Sequence, residues 1–347
     1  GAATDLMLES LASEGSKSRY LKCVPAAASD TCARQIIETY GAQIYRRPLE
    51  AGEVDRALKV YDADLARAHD GTQAIGQALR AMLASANFLY RVELDQDPKS
   101  TVPHAVSGYE LASRLSYLAW SSMPDKALFD AAKNGQLAQP AELEAAVDRL
   151  LADPKASAFV ESFAGQWLDI RKLFTHSVAT GVFPTYSTAL ADAVMAEGQM
   201  WFQEFLSQDR PLSEWFTADF NYVNDTLAQH YGFPSPGTGD KLTRVSVTTD
   251  QRAGYLGLAS FLTHTSVPSR TSPSTRGAWI LGELLCAPPP PPPAMVPQLE
   301  ASADPNDMSP QGAENVRERI EQHRSNPACS GCHATFDPLG LGLERYD

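Results

Sequence analysis

Apolar residues recur at three- and four-residue intervals in segment after segment of this chain, and only one short stretch alternates. That periodicity demands packed amphipathic helices, because each apolar stripe must be covered by another. Ile36, Ile37, Tyr40 and Ile44 mark a helix from Thr31 to about Tyr45, which Arg47-Pro48 ends. Val54, Leu58, Tyr61 and Leu65 mark a second from Glu53 to about Ala68. Ile75, Leu79, Met82, Leu83 and Ala86 mark a third, from beyond Gly71 to about Tyr90.

A polar linker from Asp97 to Pro103 follows, and then the pattern resumes. Ser107-Gly108-Tyr109-Glu110 reads as a capping box ahead of Leu111, Leu115 and Leu118, because serine and glutamate there each satisfy a free backbone donor. Met123-Pro124-Asp125, Gln139-Pro140 and Asp153-Pro154 open further helices, with proline near the first turn. The longest helix is expected from about Ser187 to Leu206, with Leu190, Val194, Trp201 and Phe205 on its buried side. Aromatics at that spacing read as core rather than as a cofactor box. Asn224 to Tyr231 reads as a short helix ended by Gly232, and Leu242 to Val247 alternates, so at most one short strand is expected. Gln251 to His264, Thr275 to Leu285 and Ala313 to His323 read as helices. The proline run Pro288 to Pro293 must be polyproline II, as a surface strap or as a ligand for a proline-reading domain.

At 347 residues the chain is long enough for two or three compact units. Its net charge of -13 repels phosphate backbones, so nucleic-acid binding is not expected. No stretch approaches the roughly 20 apolar residues of a membrane span. The chain begins at Gly1 without a charged and then apolar leader, which reads as a processed protein or a piece of a longer polypeptide. Cys23 and Cys32 flank a short loop that can close as a disulfide in an oxidising compartment; two unrelated thiols are the alternative. Cys286 is left over and is expected to be buried as a small hydrophobe.

The chemistry concentrates in Cys329-Ser330-Gly331-Cys332-His333. Two thiols at this spacing can add to the two vinyl groups of one porphyrin, and the adjacent imidazole can reach its iron. The expectation is one covalent haem c, with Cys329 and Cys332 as the attaching residues and His333 as the axial ligand. A structural zinc is the main rival, with Cys286 or His323 as fourth ligand. A redox dithiol fits less well, because a helix precedes the motif and Asp337-Pro338-Leu339-Gly340 follows it. Residues 334 to 347 include no Met, His or Lys. A sixth iron ligand must then come from upstream (Met308, Met295, His264 or His323), from another chain, or be absent. His69, His104, His176 and His230 have no ligand spacing, and Asp219, Asn221, Asn224 and Asp225 read as turn and capping chemistry rather than a calcium loop.

Several segments together resemble the planctomycete-type cytochrome-c-associated proteins. They are Tyr45-Arg46-Arg47-Pro48-Leu49, Asn221-Tyr222-Val223-Asn224 and Leu227-Ala228-Gln229-His230-Tyr231-Gly232. Thr263-His264, Arg270-Thr271-Ser272-Pro273 with Arg276-Gly277, the proline run, and His323-Arg324 to His333 with Asp337-Pro338-Leu339-Gly340 continue the series. The resemblance implies a fifth-type associated module near residues 30 to 95, a fourth-type module over about 105 to 232 and a third-type cytochrome module over about 248 to 347. It also implies export and further modules of the same polypeptide, and it lends no substrate. The fold expected is mainly α, a multi-module helical platform with a small C-terminal c-type haem module. Its units are 1–98 with the candidate disulfide, 103–232, and 245–347 with the polyproline segment and the haem motif. The function expected is electron transfer outside the cytosol, periplasmic or extracellular, with a redox partner protein or larger complex. A haem oxidoreductase with an open sixth iron position and a non-redox zinc scaffold are the alternatives.

Overall fold

The computed structural model describes residues 21–28, 30–93, 97, 99–248, 252–291, 320–321, 324 and 327–346. It is mainly helical, with one small sheet, and divides into two compact units, Gly1–Ala158 and Phe159–Asp347. None of its described helices is long and apolar enough to cross a membrane.

The first unit opens with α1 (Thr31–Tyr45), α2 (Ala51–Ala68), α3 (Gly71–Leu83) and the single turn α4 (Ala86–Leu89). Ile36, Ile37, Val54, Leu58, Tyr61, Ile75, Leu79 and Met82 bury the stripes that the sequence marked. The expected third helix is broken at Ala84-Ser85, where the Ser85 hydroxyl donates to the Met82 carbonyl and competes with the helix ladder. Cys23 and Cys32 are joined by a disulfide, with Cα atoms 6.0 Å apart. Asp30 closes that loop, accepting from Ala26 N at 2.9 Å and from Cys32 N at 2.6 Å as the cap of α1.

In the Tyr45-Arg46-Arg47-Pro48 segment, which connects α1 to α2, Arg46 is buried. Arg46 ends α1 in the left-handed conformation and donates to the carbonyls of Asn87 (2.7 Å) and Tyr90 (2.8 Å). Arg47 pairs Glu53 through two bonds of 2.9 Å, which hold that carboxyl below its ordinary range. The unit continues with α5 (Gly108–Trp120), α6 (Lys126–Lys133) and α7 (Pro140–Ala152), packed around Ala112, Trp120, Leu128, Leu137 and Leu150. The Ser107–Glu110 capping box ahead of α5 is formed as expected.

The second unit is built around α8 (Thr188–Ser207). Trp201 is fully buried, with the rings of Phe205, Trp215, Tyr255 and Phe220 within 4.4 to 5.8 Å. These aromatics are core, as their spacing implied. A strand β1 (Phe220–Val223), the helix α9 (Asp225–Tyr231) and a strand β2 (Thr243–Ser246) follow, with β1 and β2 antiparallel and Phe220 opposite Ser246. The expectation of at most one strand is therefore corrected. Phe220, Asn221 and Val223 are all buried, so β1 does not alternate.

The helix expected from Gln251 is also shorter than read. Gly254 sits at φ +59°, where a Cβ would lie 2.4 Å from the Trp215 carbonyl oxygen. A 3-10 turn follows it, and only α10 (Ala259–His264) is a true helix. After it, α11 (Pro273–Trp279) continues as a π turn over Ile280–Leu284. Cys286 then lies exposed at φ +53°, which corrects its expected burial: the helix has ended and the chain turns outward. The last helix is α12 (Pro327–Leu341). The helix expected over 313–323 falls mostly outside the described residues.

Glu197 of α8 is wholly buried. It accepts from Asn221 Nδ2 at 2.7 Å, from the Tyr231 hydroxyl and from Ser260 N at 3.1 Å. Burial pushes its carboxyl up to about 7, against the pull of these donors. The folded chain thus keeps a proton that the unfolded chain, with the ordinary value of 4.5, has released. This group's contribution to stability falls as pH rises through that window, by up to about 3 kcal/mol. Glu197→Gln removes that dependence. It also turns an amide N–H toward existing donors, which costs about 1–3 kcal/mol. In urea unfolding the stability gap between the two proteins should shrink as pH rises; a constant gap would contradict the assignment.

Candidate functional site

Helix α12 carries Cys329, Cys332, His333, Phe336 and Asp337. Their spacing places all five on one stripe of the helix surface. Cys329 and Cys332 are free thiols, half-buried and one turn apart. Between them Gly331 is exposed, with open space where a Cβ would stand. The Phe336 ring lies 4.7 Å from that of His333.

His333 is oriented from within its own helix. Its Nδ1 lies 3.1 and 3.0 Å from the two carboxyl oxygens of Asp337, one turn on. Asp337 is fully buried and also accepts from the Ser274 hydroxyl at 2.8 Å. With Nδ1–H donating to the carboxylate, the imidazole's lone pair is on Nε2, the atom that binds a metal. Ser274 comes from α11, so two helices fix one imidazole.

Two glycines allow that arrangement. A Cβ on Gly277 would lie 1.8 Å from the Phe336 carbonyl oxygen, and one on Gly340 would lie 1.8 Å from that of Pro273. The helices α11 and α12 therefore run antiparallel with backbones in contact. Pro338 sits inside α12, lacking the N–H that an interior position normally donates. Pro273 and Gly277 from one of the segments singled out in the sequence, and Asp337 and Gly340 from the other, meet at this contact. Sequence reasoning missed the roles of Ser274 and Asp337. The signal was an aspartate four residues after the histidine, which faces it only if the helix runs on.

Of the sixth-ligand candidates, Met295, Met308 and His323 lie outside the described residues. His264 is buried on α10, edge-on to Phe261 and Trp279, and its Nε2 has no hydrogen-bond partner among the described residues. Burial pushes its imidazole down to about 4, so it is neutral at physiological pH. The described residues contain no cluster of three or more His, Cys, Asp or Glu side chains able to hold a metal ion. The zinc reading, which needs four such ligands, gains nothing from exposed Cys286. In the oxygen-rich group, Asn224 caps α9, as read. Asn221 instead holds Glu197, and Asp225 accepts from Ser235 Oγ and from the backbone N–H groups of Gly237 and Gly239.

Three family models match the chain in succession. PSD5, described as a protein of unknown function (DUF1595), covers residues 32–93. PSD4, a protein of unknown function (DUF1592), covers 106–233, and PSCyt3, a protein of unknown function (DUF1588), covers 252–347. The α12 stripe and both of its glycine contacts lie within the last. No curated protein and no solved structure matches the chain significantly.

The close helix contact gives a direct test. Gly277→Ala forces a methyl into backbone and should destabilise the fold by about 1–3 kcal/mol, while Gly331→Ala, in open space, should leave stability unchanged or slightly raised. Thermal unfolding of both variants checks this; equal effects would contradict the close approach.

Proposed function

We propose that this chain, a member of the planctomycete-type cytochrome-c-associated multi-module proteins, is an extracytoplasmic c-type haem protein that carries electrons to or within a larger complex. The observation that carries the reading is the α12 stripe, which sets two free thiols beside an imidazole held by a buried carboxylate. That donor set fits a covalent haem. Cys329 and Cys332 would each add across a vinyl group, forming one C–S bond with the thiol hydrogen ending on the neighbouring carbon, so attachment would need thiols and no oxidant. His333 Nε2 would hold the iron, with Asp337 fixing the ring's direction. A haem held this way supplies a one-electron iron couple.

The Cys23–Cys32 disulfide supports a periplasmic or extracellular setting. The acidic surface suits a basic redox partner, steered by charge. We assign residues 1–98, 103–232 and 245–347 as successive modules, with the haem on the last and the others as a helical platform.

A haem oxidoreductase with an open sixth position is the second reading. It rests on His264, which is enclosed between Phe261 and Trp279 while the thiols are part-exposed. Carbon monoxide separates the two. A six-coordinate carrier should not bind it in the reduced state without unfolding, and an open site should. Cys332→Ser should abolish stable covalent attachment. His333→Ala should keep the haem attached with a changed iron spectrum; an unchanged spectrum would remove His333 from the axial position.

A further inference from the structure

We infer that Asp337 is a positioning residue that sets the electronic character of the axial imidazole, holding the bound iron toward its oxidised state. The inference rests on the haem reading above and says what kind of couple the site makes. Both Asp337 oxygens lie within 3.1 Å of His333 Nδ1. The carboxylate has no exposure to solvent, so water does not compete for the imidazole N–H. A hydrogen bond from an imidazole to a buried carboxylate is charge-assisted and gains strength in a low-dielectric setting. Drawing the N–H proton toward Asp337 pushes electron density onto Nε2, making it a stronger donor to a metal. A stronger donor favours the more highly charged ferric iron.

Ser274 sets a limit on this effect. Its hydroxyl donates to Oδ1 of the same carboxylate at 2.8 Å. That bond draws negative charge away from His333, so Ser274 and His333 compete for one anion. The helix contact at Gly277 and Gly340 keeps Ser274 within reach of Asp337. The two residues therefore act on the iron in opposite directions.

The opposition gives a test that a merely structural role would not pass. In the full haem-loaded chain, Asp337→Asn keeps the shape and an acceptor oxygen but removes the charge. It should shift the oxidised-to-reduced equilibrium toward reduced iron by about tenfold, which is about 59 mV upward for a one-electron couple. Ser274→Ala should shift the midpoint downward. The iron–imidazole stretching frequency of the reduced protein should fall in the first variant and rise in the second. A loaded Asp337→Asn protein with unchanged midpoint and stretching frequency would overturn this inference while leaving the haem reading intact. Shifts of the same sign in both variants would also overturn it, as the mark of a general disturbance. A wild-type chain that never takes up haem would overturn the haem reading and this inference with it.

Discussion

A carboxylate with no access to water must find its partners inside the protein, and Asp337 finds two, His333 from its own helix and Ser274 from the helix alongside. Almost everything about the C-terminal site follows from that need. Ser274 reaches Asp337 because α11 and α12 touch backbone to backbone. They touch because Gly277 and Gly340 present no side chain at the crossing. Phe336 is buried beside the imidazole, and the thiols on the same stripe are part-exposed. Packing and site are one construction.

Glu197 plays a comparable part deeper in the same unit. It stands on α8; Asn221 of β1 and Tyr231 of α9 lie with it within the PSD4 match, while Ser260 belongs to the PSCyt3 match. Tyr231 also accepts from Ala259 N. A buried acid thus ties β1, α9 and the start of α10 to the long helix, with one donor from each. The PSD4 match runs across the boundary between the two compact units at residue 158. The second unit accordingly joins the later part of one matched segment to the whole of the next.

The helical class was legible because amphipathic period is a strong signal: α1 runs from Thr31 to Tyr45, as its stripe and the following Arg47-Pro48 indicated. The disulfide was legible too, since only eight residues lie between its cysteines. What was lost depended on tertiary context. Strand β1 escaped because a strand buried on both faces does not alternate. The short α10 escaped because the backbone of Gly254 is pressed against Trp215, a contact no local pattern encodes. In the site, Cys329, Cys332 and His333 stood out by spacing alone. The role of Asp337 did not, because an aspartate faces a histidine four residues earlier only on a helix, and the last helix was expected to end at His323.

The account turns on whether α12 holds a covalent porphyrin. Intact mass together with a reduced-minus-oxidised spectrum, taken on chain matured where c-type haem is attached, addresses that directly. The account predicts a mass increase of one haem and a sharp c-type α band. An unmodified mass with no band would contradict it.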